Sequence, residues 1–87
     1  TEEGIKAASE RRESQVIAHR LAELRKQHNL TQSQLAKIMH VDQSRISQIE
    51  TGDITRAELP TVTAYINALG GSVKIVADFG DSQHQIA

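Results

Sequence analysis

The 87-residue sequence predicts a mainly α-helical bundle that closes with a C-terminal β-strand or hairpin. Three observations carry that class. Apolar residues recur at the three- and four-residue spacing of a helix from Val16 through Leu69. Over 31–52, TQSQLAKIMHVDQSRISQIETG, the pattern divides into two short helices joined by a tight turn. At Ser72 the period changes to two: Val73, Ile75, Ala77 and Phe79 alternate with Ser72, Lys74, Val76 and Asp78. The chain therefore divides into an N-terminal helical arm (1–15), a helical domain (16–71) and a C-terminal strand or hairpin (72–87).

The arm, EEGIKAASERRESQ over 2–15, is polar and helix-permissive, and Glu2 and Glu3 suit a helix N-terminus. It reads either as a solvated, partly frayed helix or as a partner-binding segment that orders on contact. Val16, Ile17, Leu21 and Leu24 form the apolar stripe of the first core helix, which ends near His28 and Asn29. Asn29 tolerates the left-handed conformation that closes a helix. Thr31 with Gln34 fits a capping box. Leu35, Ala36 and Met39 then face inward, and Ala36 is small where two helices must approach closely. Val41 is expected to plug the turn from below. Asp42 is expected to cap the next helix through its carboxylate, with Ile46 and Ile49 anchoring that helix and Gly52 stopping it.

Beyond Gly52, residues 53–59 read as an irregular link with Thr55 as a cap, and Pro60 starts a helix over 60–69. Its buried stripe is Val62, Tyr65, Ile66 and Leu69, and Gly70-Gly71 ends it. A strand of about eight residues follows, with Gly80-Asp81 as a turn and 84–86 as a short return strand. A lone two-stranded hairpin is marginal in water. Its apolar face, Val73, Ile75, Ala77 and Phe79, is expected to pair with a second copy across a two-fold axis. The alternative is that the hairpin packs only on its own helices.

Composition narrows the chemistry. With no cysteine there is no disulfide framework, thiolate metal site or cysteine nucleophile, which suits a reducing compartment, and cytoplasm is the expected location. His19, His28, His40 and His84 have no metal-ligand spacing, and no serine sits in a nucleophile motif. No metal, cofactor, small-molecule substrate, membrane span or catalytic residue is expected. Net charge is −1, yet residues 17–48 carry five basic groups (Arg20, Arg25, Lys26, Lys37, Arg45) against Glu23 and Asp42. Either charges scatter by chance, or the positive excess marks a surface that meets phosphates.

The second short helix carries a separate signal. Gln43, Ser44, Ser47 and Gln48 fall on one outward face, opposite Ile46 and Ile49. Four uncharged hydrogen-bonding side chains together suit base edges, since Gln can bond bidentately to adenine and Ser adapts to either partner. Arg45 adds a positive charge. Gln32, in the first turn of the preceding helix, lies beside free amides that suit a phosphate. The expected ligand is double-stranded DNA, read in the major groove.

LRKQHNLTQSQLAKIMHVDQSRISQIETGD resembles the Xre-type helix-turn-helix family, to which the lambda repressor and Cro proteins belong. The matching residues are Leu30-Thr31-Gln32, Leu35-Ala36, Val41, Gln43-Ser44, Ile46-Ser47, Ile49-Glu50 and Gly52. The ending LPTVTAYINALGGSVKIVADFGD is similar to HigA-type antitoxins of type II toxin–antitoxin systems, whose Tyr-x-x-Ala-Leu-Gly-Gly helix end leads into a C-terminal strand. The resemblance implies a recognition helix near 43–51, with Gln43, Ser44 and Gln48 at base-contacting positions and Arg45 and Gln32 at base or backbone contacts. It implies a RelE- or HigB-like mRNA-cleaving toxin as protein partner and repression of the antitoxin's own operon. Residues 1–20 are the candidate toxin-binding surface. Two alternatives remain open: a stand-alone repressor without a toxin, and a protein-interaction module that reads no DNA.

Overall fold

The computed structural model describes residues 2–52 and 59–87, with side chains from Gln15 onward. Four helices precede a short hairpin: α1 (Glu2–Gln27), α2 (Gln32–Met39), α3 (Gln43–Thr51), α4 (Leu59–Ala68), β1 (Val76–Asp78) and β2 (Gln83–Gln85). The predicted link and the Thr55 cap lie outside the described residues.

The arm and the first core helix are one continuous α1. Its buried face differs from the predicted stripe. Ala18, Leu21 and Arg25 are buried, whereas Val16 and Ile17 are exposed. The phase is set by Ala18 and Leu21, three apart, with Arg25 one turn further on. Val16 and Ile17 fall off that line. Asn29 adopts φ 57, and the Leu30 N–H donates to the Arg25 carbonyl at 3.3 Å.

The Thr31 capping box is present in both directions. The Gln34 N–H donates to Thr31 Oγ1 at 3.1 Å, and the Thr31 N–H donates to Gln34 Oε1 at 2.9 Å. At the far end of α2 His40 is left-handed (φ 57), which lets the Val41 N–H donate to the Ala36 carbonyl at 3.0 Å. Val41 is therefore not the predicted plug. Its side chain is 37% exposed, and its backbone closes the turn. Asp42 occupies the N-cap of α3, but its carboxylate makes no capping bond. Its carbonyl accepts from the Arg45 and Ile46 N–H groups, at 3.0 and 3.4 Å, the ordinary first bonds of a helix. Gly52 at φ 75 ends α3, a conformation that strains any side chain.

One core joins the helices. Leu21, Leu35, Ala36, Ile46, Ile49 and Tyr65 form its buried cluster, with Met39, Val62, Ile66, Ala68 and Leu69 packed against it. Ala36 lets α2 and α3 approach, as its size predicts. Gly70 (φ 90) follows α4, and the Gly71 N–H returns to the Ile66 carbonyl at 3.0 Å.

The C-terminal strand is shorter than predicted. β1 spans three residues rather than eight and pairs antiparallel with β2 in the register Val76↔Gln85, Ala77↔His84, Asp78↔Gln83. Backbone bonds extend the ladder by one step, with the Ile86 N–H donating to the Ile75 carbonyl at 2.8 Å. The Ile75 N–H in turn donates to the Ala87 carbonyl at 2.9 Å. The turn is locked by Gly80 (φ 89), whose N–H donates to Asp78 Oδ1 at 2.9 Å. Cross-strand partners share a face, so Ile75, Ala77 and Phe79 lie with His84 and Ile86 on one side. Phe79 and Ile86 are each 71% exposed.

Leu35 and Ile46 are fully buried at the centre of the bundle. Replacing either by Ala is expected to lower unfolding free energy by about 2–5 kcal/mol. Chemical denaturation measures this. A loss below about 0.5 kcal/mol at both sites would contradict the packing.

Candidate nucleic-acid interface

The outward face of α3 is built by subtraction. Ile46 and Ile49 are buried against the core, which orients the helix about its axis. Gln43, Ser44, Arg45 and Gln48 are exposed and Ser47 is half-buried, as their helical phase requires. A surface that binds a duplex needs such a face on a rigid helix, because base-edge bonds have strict geometry.

Gln32 stands beside this face at the first position of α2 and is half-buried. The structure brings it to Gln43, whose Nε2 lies 3.5 Å from Gln32 Oε1. The Gln32 Nε2 donates to Glu50 Oε1 at 3.2 Å. Gln32 thus connects the surface of α3 to a buried polar cluster that residue patterning did not reveal.

That cluster centres on the Glu50 carboxylate, whose side chain is 4% exposed. Arg25 grips it with both arms of its guanidinium, Nε to Oε2 at 2.8 Å and Nη2 to Oε1 at 2.9 Å. A third Arg25 nitrogen, Nη1, donates to the Leu30 carbonyl at 2.7 Å, tying the end of α1 to the same group. The Tyr65 hydroxyl lies 2.6 Å from Glu50 Oε2 and 3.1 Å from the Leu21 carbonyl. Its single proton favours the shorter, charge-assisted bond. Burial alone would raise the Glu50 carboxyl. Bonds from Arg25, Tyr65 and Gln32, together with the Arg25 charge, outweigh it and hold the group below its ordinary value. Burial and the adjacent Glu50 push the Tyr65 hydroxyl well above its ordinary value.

This cluster changes the charge argument. Arg25 was one of five basic groups expected to face phosphates, but it is 8% exposed and neutralised by Glu50. Lys26 lies 3.7 Å from Glu23 on the α1 surface. Among the described residues, Arg20, Lys37 and Arg45 form no ion pair. One sequence signal pointed to the cluster. Arg25 falls in the phase of Ala18 and Leu21, where a charge must find a buried partner.

The comparisons agree with the geometry. The family model described as "Helix-turn-helix" (HTH_3) matches residues 21–76. A Mycobacterium tuberculosis protein described as antitoxin HigA3 is 46% identical over 76 residues, covering 86% of this chain and 70% of the relative. A second from the same organism, described as antitoxin HigA2, is 41% identical over 85 residues, covering 98% and 84%. Among solved structures, one concerns induced DNA bending by unique dimerisation of a HigA antitoxin. It has a TM-score of 0.69 and 45% identity, and covers 78% of this chain and 91% of that one. A DNA-bound antitoxin HigA3 has a TM-score of 0.68 and 42% identity, covering 76% and 86%.

The depressed Glu50 carboxyl makes stability depend on pH. A folded value below the unfolded one contributes stability in full above the unfolded carboxylate range, near 4.3. That contribution is lost as pH falls through the lower folded value. Glu50→Gln is expected to cost about 3–5 kcal/mol at pH 7, since it leaves Arg25 buried without its charge. Thermal unfolding from neutral to acidic pH should show the wild type losing more of its midpoint than Glu50→Gln. Parallel profiles would contradict this assignment.

Proposed function

We propose that this chain, which belongs to the helix-turn-helix family and within it to the HigA antitoxins, is a sequence-specific DNA-binding antitoxin that represses its own operon. The observation that carries the reading is the face of Gln43, Ser44, Ser47 and Gln48, turned outward by the buried Ile46 and Ile49. Gln43 and Gln48 supply paired donors and acceptors for base edges, Ser44 and Ser47 adapt to either, and Arg45 adds charge. Gln32 and the first amides of α2 meet a phosphate and fix the register.

The binding species is a homodimer. Ile75, Ala77 and Phe79 share one face of the hairpin, and Phe79 is too exposed to be a settled monomer surface. Val73, half-buried, precedes them in the same alternation. A second copy covers this face and places two α3 helices about 34 Å apart, in successive major grooves. The protein partner is a RelE- or HigB-like toxin, which the antitoxin neutralises. Among the described residues no helix is long and apolar enough to cross a membrane, and a cytoplasmic binding protein rather than an enzyme fits the homologues.

Gln43→Ala is expected to cost about 1–3 kcal/mol on operator DNA and to relax preference at one base position. Unchanged affinity and preference would remove Gln43 from the readout. Truncation after Gly71 is expected to give monomers with much weaker operator binding. Sedimentation showing a dimer after that cut would rule out pairing through the C-terminal face.

A further inference from the structure

We infer that His84 makes dimerisation depend on pH: as a neutral ring it belongs to the apolar face that a second copy covers, and as a cation it opens that interface. The inference deepens the homodimer proposed above and rests on it.

The face is apolar except at this one side chain and at Ser82 beside the turn. In the hairpin register Ala77 stands opposite His84. The bond from the Ile86 N–H to the Ile75 carbonyl continues the pairing outward. Cross-strand partners share a face, so His84 lies among Ile75, Ala77, Phe79 and Ile86. Its ring meets the Phe79 ring in a T-shaped pair, with centroids 6.1 Å apart and planes at 65°. Both rings are exposed in the single chain.

The charged groups of the hairpin lie elsewhere. Lys74 and Asp78 alternate onto the opposite face. Asp78 Oδ1 accepts from the Gly80 N–H. Asp81 follows Gly80 in the turn, and Ala87 stands beyond Ile86, against the Ile75 backbone. Among the described residues His84 forms no ion pair. A two-fold interface uses one surface twice. The second copy therefore brings the same apolar side chains and a second His84, and this face offers neither ring a carboxylate.

Histidine is the side chain whose charge changes between about pH 5 and 8. A neutral imidazole packs against Phe79 much as another aromatic ring does. A cation is different, because covering it removes water and supplies no opposite charge. The two-fold axis imposes that cost twice and sets two like charges in one interface. In the single chain the cation keeps its water. Proton binding and dimerisation therefore oppose each other, so the dimer is strongest above the histidine range and weakens as pH falls through it. Glu50 does not interfere there, since its carboxyl is held below its ordinary value. Operator binding, which uses both α3 helices, falls with the dimer.

The full chain, His84→Leu and His84→Lys are compared by sedimentation equilibrium without DNA at about pH 7.5 and about pH 5.5. Circular dichroism follows the fold at each pH. The wild-type dimer constant is expected to weaken by about tenfold or more at the lower pH, and that of His84→Leu to change by about threefold or less. His84→Lys, charged at both values, should dimerise weakly at both with its fold intact. A wild-type dimer equally strong at the two pH values overturns the inference and leaves the dimer standing. So does a His84→Leu dimer that weakens as much as the wild type, or a His84→Lys dimer as strong as the wild type at the higher pH. If the full chain is monomeric at the higher pH, the dimer itself falls, and its pH dependence with it.

Discussion

One carboxylate holds the four helices in register. Glu50 belongs to α3 and receives Arg25 from α1, Gln32 from α2 and Tyr65 from α4. A buried ion pair is a weak source of net stability, because desolvation offsets most of the attraction. The apolar cluster around Leu35, Ile46 and Tyr65 supplies the driving force for folding. The polar cluster supplies direction. A hydrophobic contact tolerates sliding by a fraction of an ångström, whereas four donors converging on two oxygens do not. For a protein that reads hydrogen-bonding groups on DNA, the angle of α3 matters more than a further increment of stability. No buried side-chain nitrogen or oxygen lacks a partner among the described residues, so the network is complete as it stands.

The architecture was legible where local chemistry decides it. The capping box at Thr31, the left-handed Asn29, the stop at Gly52 and the inward Ile46 and Ile49 each follow from one or two residues, and the structure has them all. Reading failed where tertiary context decides. Val41 looks apolar enough to be buried, but the left-handed His40 lets its backbone close the turn and leaves its side chain at the rim. Asp42 is a good capping residue by type, yet its carboxylate makes no capping bond, and only its carbonyl accepts, from the Arg45 and Ile46 N–H groups. The β1 ladder covers three residues, because alternation marks a face but pairing sets the length of a strand. The Arg25–Glu50–Tyr65 cluster joins residues separated by 25 and 15 positions, a distance that periodicity does not span.

For the interface, the outward face of α3 was readable because a helix has only one phase once its buried residues are known. The link from that face to the core was not. Gln32 reads from sequence as a phosphate contact, and the structure adds a second role between Glu50 and Gln43. The charge available to phosphates is smaller than a count of residues suggests, since Arg25 is spent inside the fold. Among the described residues Arg20, Lys37 and Arg45 are the cations outside an ion pair, and each phosphate a cation neutralises contributes through released counterions. Two domains held at a fixed spacing add to this, as the second contact becomes intramolecular. The exposed apolar face of the hairpin and the burial of Arg25 in the helical domain meet in this requirement.

In the proposed dimer, two copies of α3 read successive major grooves from one face of the duplex. This arrangement is tested most directly by binding the full chain to a palindromic duplex selected for it, and to the same duplex with about five base pairs inserted between the half-sites, half a helical turn. The insertion is expected to lower affinity by about tenfold or more, since it rotates one half-site to the opposite face. Equal affinity for the two duplexes would contradict it.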